Sequence, residues 1–173
     1  MPRNGSKRRE PADRIWQGLA LETLGYHELR IYNETIRKFR PISYYRTPAG
    51  VEIDFVVEIA LRRPNKPPQV VAIEVKRSDR WQREWAKPML NLAGTANLVV
   101  KRMIGVYCGK RTYRFGDVWV YPVRDFIRLL AAGEFFWADR KAAYTFQIFQ
   151  NGIFKNVDIK TYIRLCNVWK MSQ

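Results

Sequence analysis

Two short segments in which charged and aliphatic residues alternate most constrain how this chain can fold. They are "GVEIDFVVE" (residues 50–58) and "VVAIEVKRS" (residues 70–78). Successive side chains of a β-strand point to opposite faces of its sheet, so the alternation predicts two strands with one polar and one apolar face each. We therefore expect a β-sheet at the centre of the fold.

The polar faces of these two strands carry acidic residues. The first strand is expected to place Glu52, Asp54, Val56 and Glu58 on one face, opposite Val51, Ile53, Phe55 and Val57. The second is expected to place Ala72, Glu74 and Lys76 opposite Val71, Ile73 and Val75.

If the two strands are neighbours, about 4.8 Å apart, two of these acids can share one cation. Asp54 and Glu74 would bind a divalent ion through oxygen ligands, with the ammonium group of Lys76 beside it. This is the apparatus of metal-assisted phosphodiester cleavage. The plainer interpretation is that these residues form the solvated face of an amphipathic sheet.

The same residues resemble a known superfamily. Asp54 and the triplet Glu74-Val75-Lys76, each inside an apolar strand, look like the core motif of the PD-(D/E)XK nucleases. The longer segments "PISYYRTPAGVEIDFVVE" and "AIEVKRS" are similar to the nuclease-like C-terminal half of certain prokaryotic AAA-type ATPases. That half is generally described as a domain of unknown function, and the resemblance covers residues 12–137.

The resemblance implies a fold and a set of site residues. The fold is α/β, with a central mixed β-sheet flanked by helices as in restriction endonucleases. Asp54 and Glu74 would hold Mg²⁺ or Mn²⁺, and Lys76 would position the attacking water or stabilise charge on the phosphate. An acid on the first helix completes such sites; Glu22 matches, and Glu28 is an alternative on a different helix face.

The function implied is DNA binding, with metal-dependent endonuclease chemistry by Glu22, Asp54, Glu74 and Lys76. The alternative is a catalytically silent nuclease-like module that binds nucleic acid or docks a protein partner, since a fold alone does not establish an activity. A third possibility is a general basic RNA-binding protein. An AAA-type ATPase is an expected partner of both the nuclease and the silent nuclease-like module.

The chain departs from the ATPase pattern in two respects. It contains no Gly-x-x-x-x-Gly-Lys-Ser/Thr phosphate-binding loop, so we expect no ATP hydrolysis by this polypeptide. The segment that links the first helix to the ATPase is replaced by "MPRNGSKRRE". The chain is accordingly expected to be a fragment, a standalone remnant or an incorrectly bounded gene product.

The charge of the chain points to a polyanionic partner. Lys and Arg number 31 against 16 Asp and Glu, which gives a formal net charge of +15. Such an excess favours nucleic acid through counterion release, with an anionic membrane surface or an acidic protein as alternatives. The expected phosphate contacts are Arg46 and Arg77 beside the site, Arg80, and Arg62 and Arg63 in the Pro-rich loop "IALRRPNKPPQ".

The chain is expected to contain one α/β domain with two tails. Residues 1–13 are interpreted as a basic disordered arm, 14–137 as the nuclease-like domain, and 138–173 as an extension of unclear structure with a possible hairpin at Asn151-Gly152. The domain is expected to hold helices over 14–36 and 122–130, and strands over 42–46, 50–58, 70–78, 98–107 and 117–121. A further helix, divided by Pro88 and ended by Gly94, should carry Trp81 and Trp85 on one face, for packing or for stacking on bases.

Several classes of protein are excluded by what the sequence lacks. There is no run of 18 apolar residues to span a membrane and no secretory signal. The only cysteines, Cys108 and Cys166, form neither a disulfide framework nor a zinc motif, which favours a cytoplasmic location. The single histidine, His27, excludes a histidine-based triad or a multi-histidine metal site.

Overall fold

The structure of the protein is a computed structural model, which describes residues 12–136 except for residues 65 and 96. The predicted arm (1–13) lies almost entirely outside the described residues. The predicted extension (138–173), with its hairpin at residues 151–152, lies entirely outside them.

Three α-helices and one six-stranded mixed sheet make up the described part of the chain, so the predicted α/β class is confirmed. In chain order the elements are α1 (Ala12–Thr35), β1 (Ile42–Arg46), β2 (Glu52–Ala60), β3 (Gln69–Lys76), a 3-10 turn (Arg83–Ala86) leading into α2 (Lys87–Ala93), β4 (Val99–Tyr107), β5 (Tyr113–Phe115), β6 (Val118–Pro122) and α3 (Val123–Ala131). None of the helices in this described part is long and apolar enough to cross a membrane.

The strands lie in the order β1-β2-β3-β4-β6-β5. The pairs β1–β2, β2–β3 and β5–β6 are antiparallel, whereas β3–β4 and β4–β6 are parallel. The strands β2 and β3 are thus neighbours, as the site hypothesis requires. The sequence does not predict β5, whose three residues lie between the strands predicted over 98–107 and 117–121.

Apolar cores cover both faces of the sheet. Helices α1 and α3 supply one core, in which Leu24, Tyr32 and Phe126 pack against residues such as Ile73 of β3. Helix α2 supplies the other core, in which Met89 and Leu92 pack with side chains of the opposite sheet face, among them Val70 and Ala72. A strand covered on both faces has no solvated side, which explains why β3 is apolar along most of its length.

The predicted division of β2 into two faces is confirmed for Phe55, Val56 and Val57 but is wrong at Ile53. Ile53 and Val56 both pack in the core under α2, whereas Phe55 and Val57 pack in the core under α1 and α3. The pairing with β1 gives the reason: Ser43 is opposite Val56 and Tyr45 is opposite Ile53, so two steps along β1 face three along β2. The extra residue is a β-bulge, which reverses the alternation at Asp54–Phe55.

The loop between α1 and β1 is fixed by the buried side chain of Asn33. Its Nδ2 donates to the carbonyl of Arg40 at 2.7 Å, and its Oδ1 accepts from the Arg40 backbone N–H at 3.0 Å. This loop contains two non-glycine residues with left-handed backbones, Arg37 (φ 54°) and Phe39 (φ 48°). The paired amide bonds therefore hold a turn that its own residues do not favour.

The segment after β3 differs from the predicted helix at its start. As predicted, Pro88 lies at a division, here between the 3-10 turn and α2, and Gly94 ends α2. Trp81, however, precedes both and packs partly buried on the core under α2. Its ring makes an edge-to-face contact with Trp85, with ring centroids 5.4 Å apart. Packing, rather than a shared helix face, is the role that the structure gives to Trp81.

Candidate metal-binding site

The site is built where β2 and β3 stop pairing through their backbones. The pairing of β2 with β3 runs from Ala60 and Gln69 to Phe55 and Ile73, and it ends at the bulge. Two residues beyond Ile73, the backbone N–H of Val75 donates to Oδ2 of Asp54 at 2.7 Å. A carboxylate from the bulge thus takes the acceptor position that a backbone carbonyl of β2 would otherwise fill.

Lys76 joins the two carboxylates. Its Nζ lies 2.5 Å from Oε1 of Glu74 and 3.9 Å from Oδ2 of Asp54. The three side chains are 31% (Lys76), 15% (Asp54) and 5% (Glu74) exposed, so the cluster opens to solvent on the lysine side. The structure therefore brings together the three side chains that the sequence motif singled out.

Helix α1 adds a third acid to this electrostatic cluster. Burial first, and the charge of Asp54 second, raise the pKa of Glu22, while the charge of Lys76 lowers it. Glu22 in turn is among the groups that raise the pKa of Lys76. The alternative acid, Glu28, is buried on the same helix. Glu22 is thus the acid of α1 whose charge shifts a pKa at the site, that of Lys76.

Burial perturbs the ionisation of the site carboxylates. It raises the pKa of Glu74 to about 7, with the charge of Asp54 adding to the rise and Lys76 opposing it. Burial likewise raises the pKa of Asp54, against the lowering effects of Lys76 and the Val75 N–H. Burial lowers the pKa of Lys76, but Asp54, Glu74 and Glu22 together outweigh it and leave this pKa raised. Ionising these carboxyl groups in the folded protein therefore costs free energy, and an additional cation would reduce that cost.

One oxygen of the site is buried without a partner. Among the described residues, Oε2 of Glu74 has no hydrogen-bond partner, although Oε1 contacts Lys76. A buried, unsatisfied carboxylate oxygen costs about 1–3 kcal/mol or more, because it has lost its hydration without replacement. An unsatisfied atom of this kind is expected where a metal ion or a water molecule binds.

Trp81 forms a wall on the same sheet face as Glu74. Glu74 is opposite Gly105 in the parallel pairing of β3 and β4, so side chains at these two positions point the same way. A Cβ added at Gly105 would lie 2.6 Å from the benzo ring of Trp81. The indole Nε1 is also buried with no hydrogen-bond partner in the described part of the chain. The interior glycine of β4 is the sequence signal that would have located this close approach.

The donor set fits a hard divalent cation. Within residues 12–136, apart from the two omitted positions, no three His, Cys, Asp or Glu side chains are grouped closely enough to hold an ion by themselves. Mg²⁺ does not require such a cage, since it is commonly held by one or two carboxylates and keeps several of its waters. Asp54 and Glu74 are two carboxylates that could hold such an ion, and Oε2 of Glu74 has no hydrogen-bond partner among the described residues.

The predicted phosphate-binding arginines are divided between two ends of the sheet. Arg46 lies at the site end, where its Nε contacts Oε1 of Glu52 at 2.9 Å, and Arg77 and Arg80 follow β3 at the same end. Arg62 and Arg63 lie in the loop from β2 to β3, at the opposite end of both strands. At 3.3 Å per residue, the five steps from Gln69 to Glu74 separate the two ends by roughly 16 Å.

A family model described as "Domain of unknown function (DUF4143)" matches residues 17–126. The chain belongs to this family. The matched DUF4143 segment contains Glu22, Asp54, Glu74 and Lys76, and it ends within α3. No curated protein and no solved structure matches the chain.

Proposed function

We propose that this DUF4143 domain is a nuclease-like DNA-binding domain of the PD-(D/E)XK type, in which Asp54 and Glu74 bind Mg²⁺ or Mn²⁺ for phosphodiester hydrolysis. The observation that carries the proposal is the meeting of Asp54, Glu74 and Lys76 at the bulge of β2. It is strengthened by the buried oxygen of Glu74 that lacks a partner among the described residues. The sequence resemblance adds an AAA-type ATPase as the expected partner of the domain.

The roles of the side chains follow from their positions. A bound divalent ion lowers the pKa of its water and neutralises charge on the phosphate. Asp54 is held by the Val75 N–H, so its free oxygen is fixed in direction as a ligand. Lys76 is the most exposed of the three, and its ammonium can hold a proton beside an incoming phosphate and stabilise the developing negative charge. Glu22 adds negative charge that favours cation binding.

The binding of DNA is supported by charge around the site. The chain carries a net charge of +15, and Arg46, Arg77 and Arg80 lie at the same end of the sheet as the carboxylates. Arginine is suited to this task because its guanidinium presents several N–H donors to phosphate oxygens. These arginines would place the phosphate backbone of DNA against the Lys76 side of the cluster.

Nicking of supercoiled DNA tests the proposal. The wild type is expected to nick with Mg²⁺ or Mn²⁺ and to stop in EDTA, while Asp54→Asn and Lys76→Ala lose the activity. Glu58→Gln serves as the matched control, since Glu58 is a partly buried acid of the same strand outside the cluster. Equal nicking by all four proteins would assign the activity to a contaminating nuclease and refute the proposal.

A second candidate function is a catalytically silent nuclease-like module that binds nucleic acid or docks a partner. One observation favours it: the ammonium of Lys76 already lies against Glu74 and within 3.9 Å of Asp54. A lysine in this position can neutralise the acids in place of a metal ion. The silent module would bind duplex DNA with equal affinity in EDTA and in Mg²⁺ and would nick none of it, whereas the nuclease would nick it in Mg²⁺.

A further inference from the structure

Basic residues are concentrated at the end of the sheet that is remote from the carboxylates. The pairing brings three segments to this end: the loop from α1 to β1, the loop from β2 to β3, and the start of β4. Their cations are Arg37, Lys38, Arg40, Arg62, Arg63, Lys66, Lys101 and Arg102. The sequence has no acid within these segments (36–41, 61–68 and 99–102).

The β2–β3 loop forms a definite projection at this end. Arg63 and Lys66 exchange two backbone hydrogen bonds, at 3.1 Å and 3.0 Å, which close a tight turn. Arg62, Arg63 and Lys66 are all exposed on this turn. The backbone of the loop continues to β4, because the Val99 N–H donates to the carbonyl of Pro68 at 2.9 Å. The basic loop is thereby joined to the basic start of β4.

An open groove lies beside these cations, between the start of β4 and β6. Its volume is about 550 Å³. The polar and aromatic residues that line it are Lys101, Arg102, Arg114, Asp117, Trp119 and Tyr121. Trp119 is 40% exposed, although it is among the largest apolar side chains of the protein. It stacks on Tyr121 with ring centroids 6.0 Å apart and planes 10° from parallel.

Arg114 lies over the aromatic wall of this groove. Its guanidinium carbon is 5.2 Å from the centroid of the Trp119 ring, and its Nε donates to the carbonyl of Gly116 at 3.0 Å. The turn thus fixes a planar cation against an exposed indole. Exposed aromatic faces among cations are the means by which proteins bind single-stranded nucleic acid, since bases stack on the rings while phosphates meet the charges.

We propose that this groove, together with the basic end of the sheet beside it, is a second nucleic-acid-binding surface, which takes single-stranded DNA or RNA by stacking a base at Trp119 and holding phosphates at Lys101 and Arg114. A single strand fits the observations better than a duplex, because the bases of a duplex are already stacked and their faces are closed to an aromatic side chain. Trp119 is level with Ile73 through Ile104, so its side chain lies on the opposite sheet face from Glu74 and about 10 Å across the strands from β3. The surface contains neither Asp54 nor Glu74, so it stands whether or not the domain cleaves DNA.

Fluorescence anisotropy with a short labelled oligothymidylate, in EDTA, tests the stacking contact. Trp119→Leu is expected to weaken binding roughly tenfold, the effect of losing one stacked base. Tyr44→Leu is the control, because Tyr44 is 74% exposed and lies on the edge strand β1, outside the groove. A Trp119→Leu protein that binds the oligonucleotide as tightly as the wild type would overturn the proposal.

The salt dependence of the same binding tests the phosphate contacts. Lys101→Gln and Arg114→Gln are each expected to reduce the slope of log affinity against log salt by about 0.7, the value for one phosphate contact on a single strand. Arg124→Gln removes one exposed charge from the first turn of α3, outside the groove, and should leave the slope unchanged. If Arg124→Gln lowers the slope as much as the groove variants, the binding is a general effect of net charge and the assigned surface is wrong.

Background variants separate this proposal from the nuclease proposal. Asp54→Asn is expected to bind the oligothymidylate like the wild type, because the groove lies on the opposite sheet face from Glu74 and does not contain the carboxylate cluster. Loss of single-strand binding in Asp54→Asn, at unchanged thermal stability, would place the strand at the metal site and refute a separate surface.

Discussion

Replacement of Glu74 by glutamine is expected to change how the stability of the protein depends on pH. The carboxyl group is 5% exposed, and burial together with Asp54 raises its pKa from 4.5 to about 7. The folded state therefore holds this proton more tightly than the unfolded state. As the pH rises from about 4.5 through 7, the free energy of unfolding of the metal-free wild type falls, because ionisation costs more in the folded protein.

The size of this loss follows from the two pKa values. The difference between about 7 and 4.5, at 1.36 kcal/mol for each pKa unit, gives about 3 kcal/mol, an order-of-magnitude figure. Glutamine keeps the shape and an oxygen acceptor for Lys76 but cannot ionise. Its amide adds a roughly constant offset, so the observable is the change with pH. Relative to wild type, Glu74→Gln should gain up to about 3 kcal/mol in unfolding free energy between pH 5 and pH 9.

Urea denaturation in EDTA, followed by tryptophan fluorescence at several pH values, measures this difference. Glu58→Gln provides the matched control, since Glu58 is a partly buried acid of β2 outside the cluster. A difference between Glu74→Gln and the wild type that stays constant across the pH range would show that Glu74 ionises normally. The account of a strained, buried carboxylate would then be wrong.

Two further substitutions test the packing that positions the site. Gly105→Ala should destabilise the protein by about 1–3 kcal/mol, since the new Cβ would lie 2.6 Å from the Trp81 ring. The control Gly18→Ala, with no atom within 4 Å of its added Cβ, should be neutral or stabilising. Equal midpoints of thermal unfolding for the two variants would contradict the close packing of Trp81 on Gly105. Asn33→Ala should cost about 1–3 kcal/mol, because it leaves the buried polar groups of the α1–β1 loop at Arg40 without their partner; an unchanged urea midpoint would refute this role.

The sequence predicted most of the fold because its strands are strongly patterned. The limits of β1 were predicted without error, and the division of the α2 segment at Pro88 follows from the missing N–H and fixed φ of proline. The motif Asp54 and Glu74-Val75-Lys76 identified side chains that the structure brings into contact. The alternation of polar and apolar residues along a strand depends only on neighbouring positions, so it can be predicted from a single sequence.

The errors concern features that arise only between elements. The bulge at Asp54–Phe55 depends on how β2 pairs with β1, so periodicity alone placed Ile53 and Phe55 on one face when they pack on opposite faces. The hydrogen bond from the Val75 N–H to Asp54 exists because that bulge interrupts the pairing with β3. The groove at Trp119 could not be predicted either, since the register of the parallel strands brings its walls together.

Direct titration with Mn²⁺, read from the electron paramagnetic resonance signal of the free ion at pH 8, tests the central claim most directly. The account predicts that the wild type binds one Mn²⁺ ion per chain, that Mg²⁺ displaces it, and that Asp54→Asn and Glu74→Gln each lose that binding while Glu58→Gln retains it. Binding that survives in both site variants, or no binding by the folded wild type, would contradict a metal site at the bulge of β2.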